Sequence, residues 1–591
     1  NPGGYDAVNR YGDEDWWDDG GDSKTFPGLG RFYRPGIEEK HLVDYDTENI
    51  KLTPALHYKI KEDLTAIYAV NFGSGTTVYQ GDNRYSLKDI LFLQNRVELQ
   101  KKDKWFWRAY STHEDAGNSY DAYFTALRMQ DSVVSNQSYN LYYTGLWNIF
   151  NKPKVRAMPG APANSLPMSQ YQSIMDSLIA SNPDFFNQLH EDNRNNVSIA
   201  TASDALGAVT IEELESFANQ LIPGTSEFNN LKNHITSTLF TEGGSRFYDK
   251  SALYHTQGER TFTYDNGAVF RVGGNFRLYT PKSAGTIFSD TAGTVITNRE
   301  AGLYGGWEQS FMDERLKLSA TGRVDKNQNF RALVSPAVSS VYKATENQTF
   351  RLSFSSAIRN PTLADQYLNY NVGRAVLLGN LDGFDSLVTI DNIADYLGKP
   401  ANERLSHDFG YFNVDAIRPE KVKTAEAGYR ATIGSRVFVD ANYYYSLYDD
   451  FIGYIIGAEI EEGTTAIDRL KSLQVYRVAA NATEQVTTQG FSIGMNTFLG
   501  NYQTLTGNYS WNKLTSAVSD PIVPAFNTPE HKFNLGWNIR NYPWNQDDSK
   551  LIGAGVNYKW VQGFVFEGSP QFTGSIPSYG LCDAQVSLTR I

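Results

Sequence analysis

A membrane-spanning antiparallel β-barrel is the fold class this sequence predicts, on three observations. Apolar and polar residues alternate with a period of two in run after run. The runs are about 10 residues long, the length a tilted strand needs to cross a bilayer. The connections between them alternate between short polar turns and long segments. The chain has 591 residues, with Phe, Tyr and Trp numbering 33, 37 and 10, and 49 Gly. That aromatic content argues against disorder. Mean hydropathy is −0.44, which is no objection, because a barrel places its apolar residues at every second position. No apolar run approaches the roughly 18 residues of a transmembrane helix.

The alternation is explicit from about Glu314 onward. In Arg315–Asp325, Leu316, Leu318, Ala320, Gly322 and Val324 alternate with Arg315, Lys317, Ser319, Thr321, Arg323 and Asp325. Thr349–Ser356 sets Phe350, Leu352 and Phe354 against Arg351, Ser353 and Ser355. Thr424–Ile433, Arg436–Tyr448, Lys532–Arg540 and Asp583–Arg590 behave in the same way. In Arg436–Tyr448, Val439, Ala441, Tyr443 and Leu447 are assigned to lipid and Asp440 and Asn442 to the interior. Aromatic residues collect towards strand ends, as in Trp105-Phe106-Trp107 and Tyr443-Tyr444-Tyr445, where an interfacial girdle belongs. A soluble sandwich also alternates, but its strands are nearer 5–6 residues.

Short polar turns are expected at 61–63, 101–103, 312–314, 344–346 and 434–435. Long irregular loops are expected at 1–46, 73–86, 281–297, 360–419 and 457–473. This asymmetry is that of barrels with short periplasmic turns and long extracellular loops. The longest insertion is not structureless. Met168, Tyr171, Ile174, Met175, Leu178 and Ile179 follow helical spacing, and Thr210 with Glu213 makes a capping box ahead of Leu214, Phe217, Ala218 and Leu221. The predicted organisation is an extracellular loop over 1–48, barrel strands over 49–113, a partly helical extracellular insertion over 114–253, and barrel strands with extracellular loops over 254–591. Seventeen strands are counted.

Composition excludes several functions. Lys and Arg total 53 against 66 Asp and Glu, a net charge of −13, which argues against nucleic acid as a partner. The single cysteine, Cys582, forms no internal disulfide and no cysteine-based zinc site. It lies in phase with Ala584, Val586 and Leu588 and is expected to face lipid. The eight histidines are scattered with no i, i+4 pair. Gly490-Phe491-Ser492-Ile493-Gly494 fits a nucleophile pattern that requires a sharp strand-to-helix turn, yet its alternation runs on through Phe498. It reads as a plain strand, and no enzyme is predicted. Asn1-Pro2-Gly3-Gly4 is not a secretory signal, so the expectation is that a signal has been removed or that the chain starts inside a longer protein.

The candidate ligand-binding residues are of three kinds. Trp16 and Trp17 suit stacking on sugar rings. Tyr79, Asp82, Asn83, Arg84 and Tyr85 form a polar-aromatic loop of the kind ligand sites favour. Arg359 and Asn360 stand at a strand end that Pro361 terminates; Arg359 suits an anionic ligand or, more simply, a lock on a neighbouring Asp. The acidic run around Trp16 and Trp17 offers Asp13, Asp15, Asp18 and Asp19 as oxygen ligands for Ca2+, although Trp17 breaks the EF-hand pattern. A solvated acidic loop is the simpler reading of that run.

Several motifs bring the sequence next to a known family. They are Pro2-Gly3-Gly4-Tyr5-Asp6-Ala7-Val8-Asn9-Arg10-Tyr11-Gly12-Asp13-Glu14, Val78 through Lys88, Glu114 through Asp121, Gly274-Asn275-Phe276-Arg277, Gly285 through Asp290, and Phe350-Arg351-Leu352-Ser353-Phe354 running into Ala357-Ile358-Arg359-Asn360-Pro361-Thr362. They resemble the barrel of a TonB-dependent outer-membrane receptor of the Bacteroidota type, a subgroup often preceded by a carboxypeptidase-regulatory-like domain. The resemblance implies a 22-strand barrel in the bacterial outer membrane that actively imports a ligand bound at extracellular loops. It also implies a plug domain and a TonB box, neither of which is in these residues. Its implied partners are the TonB complex acting through the plug, outer-membrane lipid, and a surface lipoprotein. On that count three strands are expected before residue 1 and two after residue 591, with a gap between the strands nearest the two ends. A passive porin-like or scaffold barrel and a surface glycan-binding β-protein are the alternatives.

Overall fold

The computed structural model describes residues 9–590 apart from 15, 18–23, 207–209, 292, 374, 400–407, 461–471, 516–521, 523–525, 546 and 568–572. The chain divides into two compact units, Asn1–Leu52, Phe72–Phe92 and Glu114–Lys250 in the first, and Thr53–Asn71, Leu93–His113 and Ser251–Ile591 in the second.

The second unit is built on antiparallel β-sheet. From Trp105–Asp115 the ladder runs through Ala252–Thr263, Val269–Thr280, Asn298–Phe311, Leu316–Asn327, Leu333–Thr345, Gln348–Arg359, Glu420–Ile433 and Val437–Asp449. It continues through Val486–Leu499, Gln503–Thr515, His531–Trp544, Asp547–Val561 and Tyr579–Arg590. Most of these pairings join strands consecutive in the chain, but Trp105–Asp115 meets Ala252–Thr263, and Gln348–Arg359 meets Glu420–Ile433, across long insertions. Nineteen strand segments belong to the sheet, two more than the count from sequence. The first strand is split into Glu48–Leu52 and Ala55–Lys61 around Pro54, and Tyr120–Asp121 adds a two-residue segment. Among the described residues the sheet is not closed into a barrel.

The two faces of the sheet separate by chemistry. Directly paired residues share a face, so one row reads Trp307, Ala320, Val338, Phe354, Ala425 and Tyr445, and the next reads Leu318, Ser340, Leu352, Ala427 and Tyr443. Leu352, Leu303 and Val334 on this face are 61%, 72% and 63% exposed. The opposite face carries polar rows. There Asp440 accepts hydrogen bonds from Arg351 Nη2 at 2.6 Å and Arg430 Nε at 2.8 Å, and Asn442 accepts one from Ser492. Val439, Ala441 and Tyr443 therefore lie on the apolar face and Asp440 and Asn442 on the polar one, as the alternation predicts.

The turns follow local chemistry. Gly434 and Ser435 take φ of 54° and 59°, two successive left-handed residues, the geometry a two-residue hairpin turn needs. At the other strand ends the described part of 360–419 carries regular elements rather than being irregular. Residues of 360–419 form the helix Leu363–Tyr367, the helix Ile390–Gly398 and short strands. Val376–Leu378 joins Gln474–Asn481, which pairs with Ile452–Glu459. Small apolar cores hold these segments, one around Val388, Ile393, Tyr396 and Ala458, another around Leu387, Val414, Ile455 and Val478. The segment 73–86 is a further correction. It belongs to Leu64–Gln80 and Arg84–Lys101, joined at 81–83. Gly73-Ser74-Gly75-Thr76 shows no apolar alternation, but its backbone still pairs with Glu48–Leu52.

The first unit is largely helical. Met168–Ser181 is a helix that buries Tyr171 and Met175 while Met168 and Ile174 stay exposed. They pack with Phe32, Tyr143, Trp147, Phe186 and Leu189. Thr210 and Glu213 form the capping box their spacing predicts, and the helix Ile211–Asn219 ends before Pro223. A second core gathers Tyr11, Leu42, Phe124, Met129 and Phe228, so residues from the N-terminal segment and the insertion share one interior.

Candidate functional site

The sequence-predicted residues fall into separate groups. In the first unit, Arg84 does not face solvent for a ligand. Its Nε and Nη2 reach Glu39 Oε1 at 3.1 and 2.9 Å. Glu39 is buried and also accepts from the hydroxyls of Tyr11 and Tyr45, both at 2.6 Å. Burial by itself would raise the Glu39 carboxyl, but these hydrogen bonds and the Arg84 charge bring it below its ordinary value. Burial, then Glu39, pushes the Tyr11 hydroxyl up. Asn83 is likewise internal, donating to Asp121 Oδ2 at 2.8 Å. Asp121 caps the helix Ala122–Val133 through the Phe124 N–H. Tyr79 is exposed and its ring stacks against Tyr85 at 6.2 Å; Asp82 lies in the turn between these strands. This group is structural bracing, with Tyr79 its exposed member.

Trp17 is partly buried, its ring edge-on to Phe26 at 5.3 Å and 5.7 Å from Phe32. It lines a cavity of about 390 Å³ with Asn136, Gln137, Asn140, Leu141 and Thr144. The backbone of Trp16 pairs with Tyr33. Asp13 is 1% exposed, turned into the interior rather than displayed on an acidic loop. Asp15, Asp18 and Asp19 lie outside the described residues. Among the described residues no group of three His, Cys, Asp or Glu is placed to hold a metal ion.

The convergent site is in the second unit, on the polar face, at the strand ends from which the long loops leave. Asn275 and Arg277 near the end of Val269–Thr280, Glu300 at the start of Asn298–Phe311, Arg323 and Asp325 near the end of Leu316–Asn327, and Asn360 after Gln348–Arg359 line one cavity of about 650 Å³. Sheet register brings them together. Arg277 pairs with Glu300, which pairs with Asn327, and Gly302 with Asp325. Gly302 is needed for this: a Cβ there would lie 2.3 Å from Arg323 Nη2 and 2.5 Å from Asp325 Oδ1.

The cavity wall is a connected polar network. Arg323 forms a fork on Asp325, Nε and Nη2 each at 2.6 Å, and Nη2 also donates to Asn275 Oδ1 at 2.6 Å. Glu300 Oε1 accepts from Asn360 Nδ2 at 2.9 Å and Asn327 Nδ2 at 3.0 Å. Asn298, buried, donates to Gln366 Oε1 at 3.0 Å and accepts from Asn327 Nδ2 at 2.9 Å. Gln366 in turn donates to the Pro361 carbonyl at 2.7 Å. Thr362 caps the helix Leu363–Tyr367 with Asp365 as the reciprocal partner. Asn360-Pro361-Thr362 therefore seats the following loop on the strand wall. Arg359 lies beside this arrangement in a 3.6 Å ion pair with buried Glu420, directly opposite it on the next strand, so its partner is a Glu and not the Asp that was expected. The Gly285–Asp290 motif is also structural: Asp290 accepts from the Ser283, Ala284 and Gly285 N–H groups at 2.5, 3.1 and 2.9 Å.

Sequence reasoning reached Asn360 and the motif holding Asn275 and Arg277, but not Glu300, Arg323, Asp325 or Gln366. Their signal was present as polar pairs two apart at the loop ends of successive strands, Asn275 and Arg277, Asn298 and Glu300, Arg323 and Asp325. Only the register shows that these pairs meet.

An extended antiparallel sheet with one apolar exposed face, one polar face and a polar cavity under its long loops defines the class. Residues 169–590 match the family described as TonB dependent receptor-like, beta-barrel; the chain belongs to that family. No curated protein matches it in sequence. Among solved structures it is similar to the FrpB iron transporter from Neisseria meningitidis, with 9% identity and a TM-score of 0.50 over 92% of this chain and 65% of that one. It is similar to a mutant of the ferric enterobactin receptor PfeA from Pseudomonas aeruginosa, with 10% identity and a TM-score of 0.50 over 91% and 62%. It is also similar to the siderophore receptor PirA from Acinetobacter baumannii, with 11% identity and a TM-score of 0.48 over 91% and 64%. The chain spans less than two thirds of the length of these structures, and at such identities the likeness concerns the fold.

Proposed function

We propose that this chain is the barrel portion of a receptor in the bacterial outer membrane that binds a ligand from outside and imports it actively. The single observation that carries the reading is the polar cavity at the loop ends of the strands, in a chain of the TonB-dependent receptor-like β-barrel family. The apolar face of the sheet meets lipid, and the long loops, with the helical unit, are extracellular. Ligand bound near Arg277 and Asn360 enters only when the TonB complex, powered by the proton-motive force, acts on a plug belonging to the same receptor. A Bacteroidota-type arrangement, with a carboxypeptidase-regulatory-like domain upstream and a surface lipoprotein partner, is part of the proposal and rests on the motifs between Pro2 and Asp290. No catalytic step is assigned. The iron and siderophore named for the similar structures are not transferred to this chain.

The experiment is uptake profiling of the native bacterium with the receptor gene deleted, with TonB deleted, and with a proton uncoupler. The same class of solute should stop accumulating under all three conditions, while the receptor remains in alkali-washed outer membranes. Solute uptake that survives TonB deletion, or release of the protein by alkali without detergent, overturns the proposal.

A further inference from the structure

The chemistry of the cavity at Arg277 restricts what it can take. Two guanidinium groups, Arg277 and Arg323, and two carboxylates, Glu300 and Asp325, line it from the polar face; Lys326 borders it from the alternate position of its strand. The carboxylates are committed. Both Asp325 oxygens are held by Arg323, and Glu300 Oε1 already accepts from two carboxamides. Lys326 spends a donor on the Phe330 carbonyl at 2.5 Å. Arg277 differs. It is hydrogen-bonded to Tyr279 and approaches Glu300 Oε2 only to 3.5 Å, longer than a hydrogen bond ordinarily is, and its side chain stays 42% exposed. A guanidinium has five N–H donors in a fixed fork and no acceptor. The cavity therefore holds spare donors beside carboxylates whose lone pairs are largely taken.

A second observation lies on the same register row. His255 pairs directly with Arg277 and with Tyr110, whose ring centroid is 4.6 Å from the imidazole. The imidazole is buried, and neither ring nitrogen has a hydrogen-bond partner. A buried polar group in that state marks a place where the wall is not finished by the protein alone.

We propose that the cavity takes a carboxylate-bearing ligand, with Arg277 as the residue that reads the carboxylate as a planar, two-pronged acceptor. This names the ligand class for the proposed receptor and rests on that reading. Glu300 is the internal competitor. It holds Arg277 loosely at 3.5 Å, so an incoming carboxylate trades a long ion pair for a close, charge-assisted one. Asn360 and Asn327 keep Glu300 fixed while the exchange occurs.

The test is titration calorimetry on the full-length receptor purified in detergent, using citrate as the probe and trimethyl citrate, the same skeleton without the charges, as its control. Citrate should bind, more weakly as salt is added, and the triester should not. Arg277→Gln should weaken citrate by about tenfold or more, the size of one hydrogen-bonded charged pair. Glu300→Gln should strengthen it, because the carboxamide can still accept from Asn360 and no longer competes for Arg277. A purely structural role for these residues would give no gain in affinity. Far-UV circular dichroism establishes that each variant is folded. Equal binding of citrate and its triester, no citrate binding by the folded wild type, or unchanged affinity in Arg277→Gln overturns the inference. Those results leave the receptor reading standing, since membrane location and TonB-dependent uptake are measured separately.

Discussion

Leu352 and Ile149 make a matched pair for asking which solvent covers the apolar face. Leu352 lies near the middle of the twelve-residue strand Gln348–Arg359 and is 61% exposed. Ile149 lies in the helical unit and is 63% exposed. Neither side chain holds a core together, so in water Arg at either position should change stability by no more than about 0.5 kcal/mol. The proposed topology breaks that symmetry. Leu352 then faces the bilayer near its midplane, where arginine costs about 2–4 kcal/mol, while Ile149 remains in water. The assay is reversible urea unfolding of the purified protein in lipid vesicles, followed by tryptophan fluorescence and by the heat-modifiable gel shift. Leu352→Arg should lower the unfolding free energy by about 2–4 kcal/mol, and Ile149→Arg should fall within about 0.5 kcal/mol of wild type. Ser353, the next residue, lies on the polar face, and Ser353→Arg should fall well short of the Leu352 loss. Equal small effects at Leu352 and Ile149 would mean that the apolar face is not in lipid.

Three further outcomes follow from the buried polar groups. Arg84→Met strands Glu39 without its cation, and should destabilise the first unit by about 3 kcal/mol, whereas Lys88→Met, which breaks a half-exposed pair with Asp44, should cost less than about 1 kcal/mol; hydrogen exchange of 120–133 reads both. His190 is buried with its Nδ1 2.8 Å from the Tyr143 hydroxyl, and burial, aided by Arg194, lowers its pKa to about 4. The unfolded chain binds that proton first, so the stability of the helix Pro183–Leu206 should be full above about pH 6.5 and fall by about 3 kcal/mol as pH drops from about 6.5 to 4; pH-dependent hydrogen exchange in that helix checks it, and a flat profile would refute a buried neutral His190. Asn298→Leu removes the link between Asn327 and Gln366 and should cost about 1–3 kcal/mol, seen as faster exchange in 361–368 with the neighbouring strands unchanged.

What the sequence made legible has a physical pattern. Strands such as Val437–Asp449 declared themselves because their two faces meet different surroundings, which forces a period of two. The stretch Gly73-Ser74-Gly75-Thr76 did not, because a backbone ladder accepts residues without any apolar alternation. The loop segments of 360–419 looked irregular because each buries only a few side chains against partners distant in sequence, Val388 with Ala458 for example. The partner of Arg84, Glu39, stands 45 positions away, so nothing in the local sequence announces their ion pair. The cavity was half visible. Arg277 and Asn360 sit in recognisable motifs, while Glu300 and Asp325 acquire their meaning only from the register that places them beside those two.

The most direct test of the account is the accessibility of Thr349–Ser356 to lipid. Single cysteines introduced one at a time across these residues, in a Cys582→Ser background, carry an environment-sensitive fluorophore in vesicles made with brominated acyl chains. The account predicts strong quenching at Phe350, Leu352 and Phe354 and weak quenching at Arg351, Ser353 and Ser355. Uniform quenching along the strand, or none at the apolar positions, would contradict a sheet that crosses the membrane with one face in lipid and the other lining a polar interior.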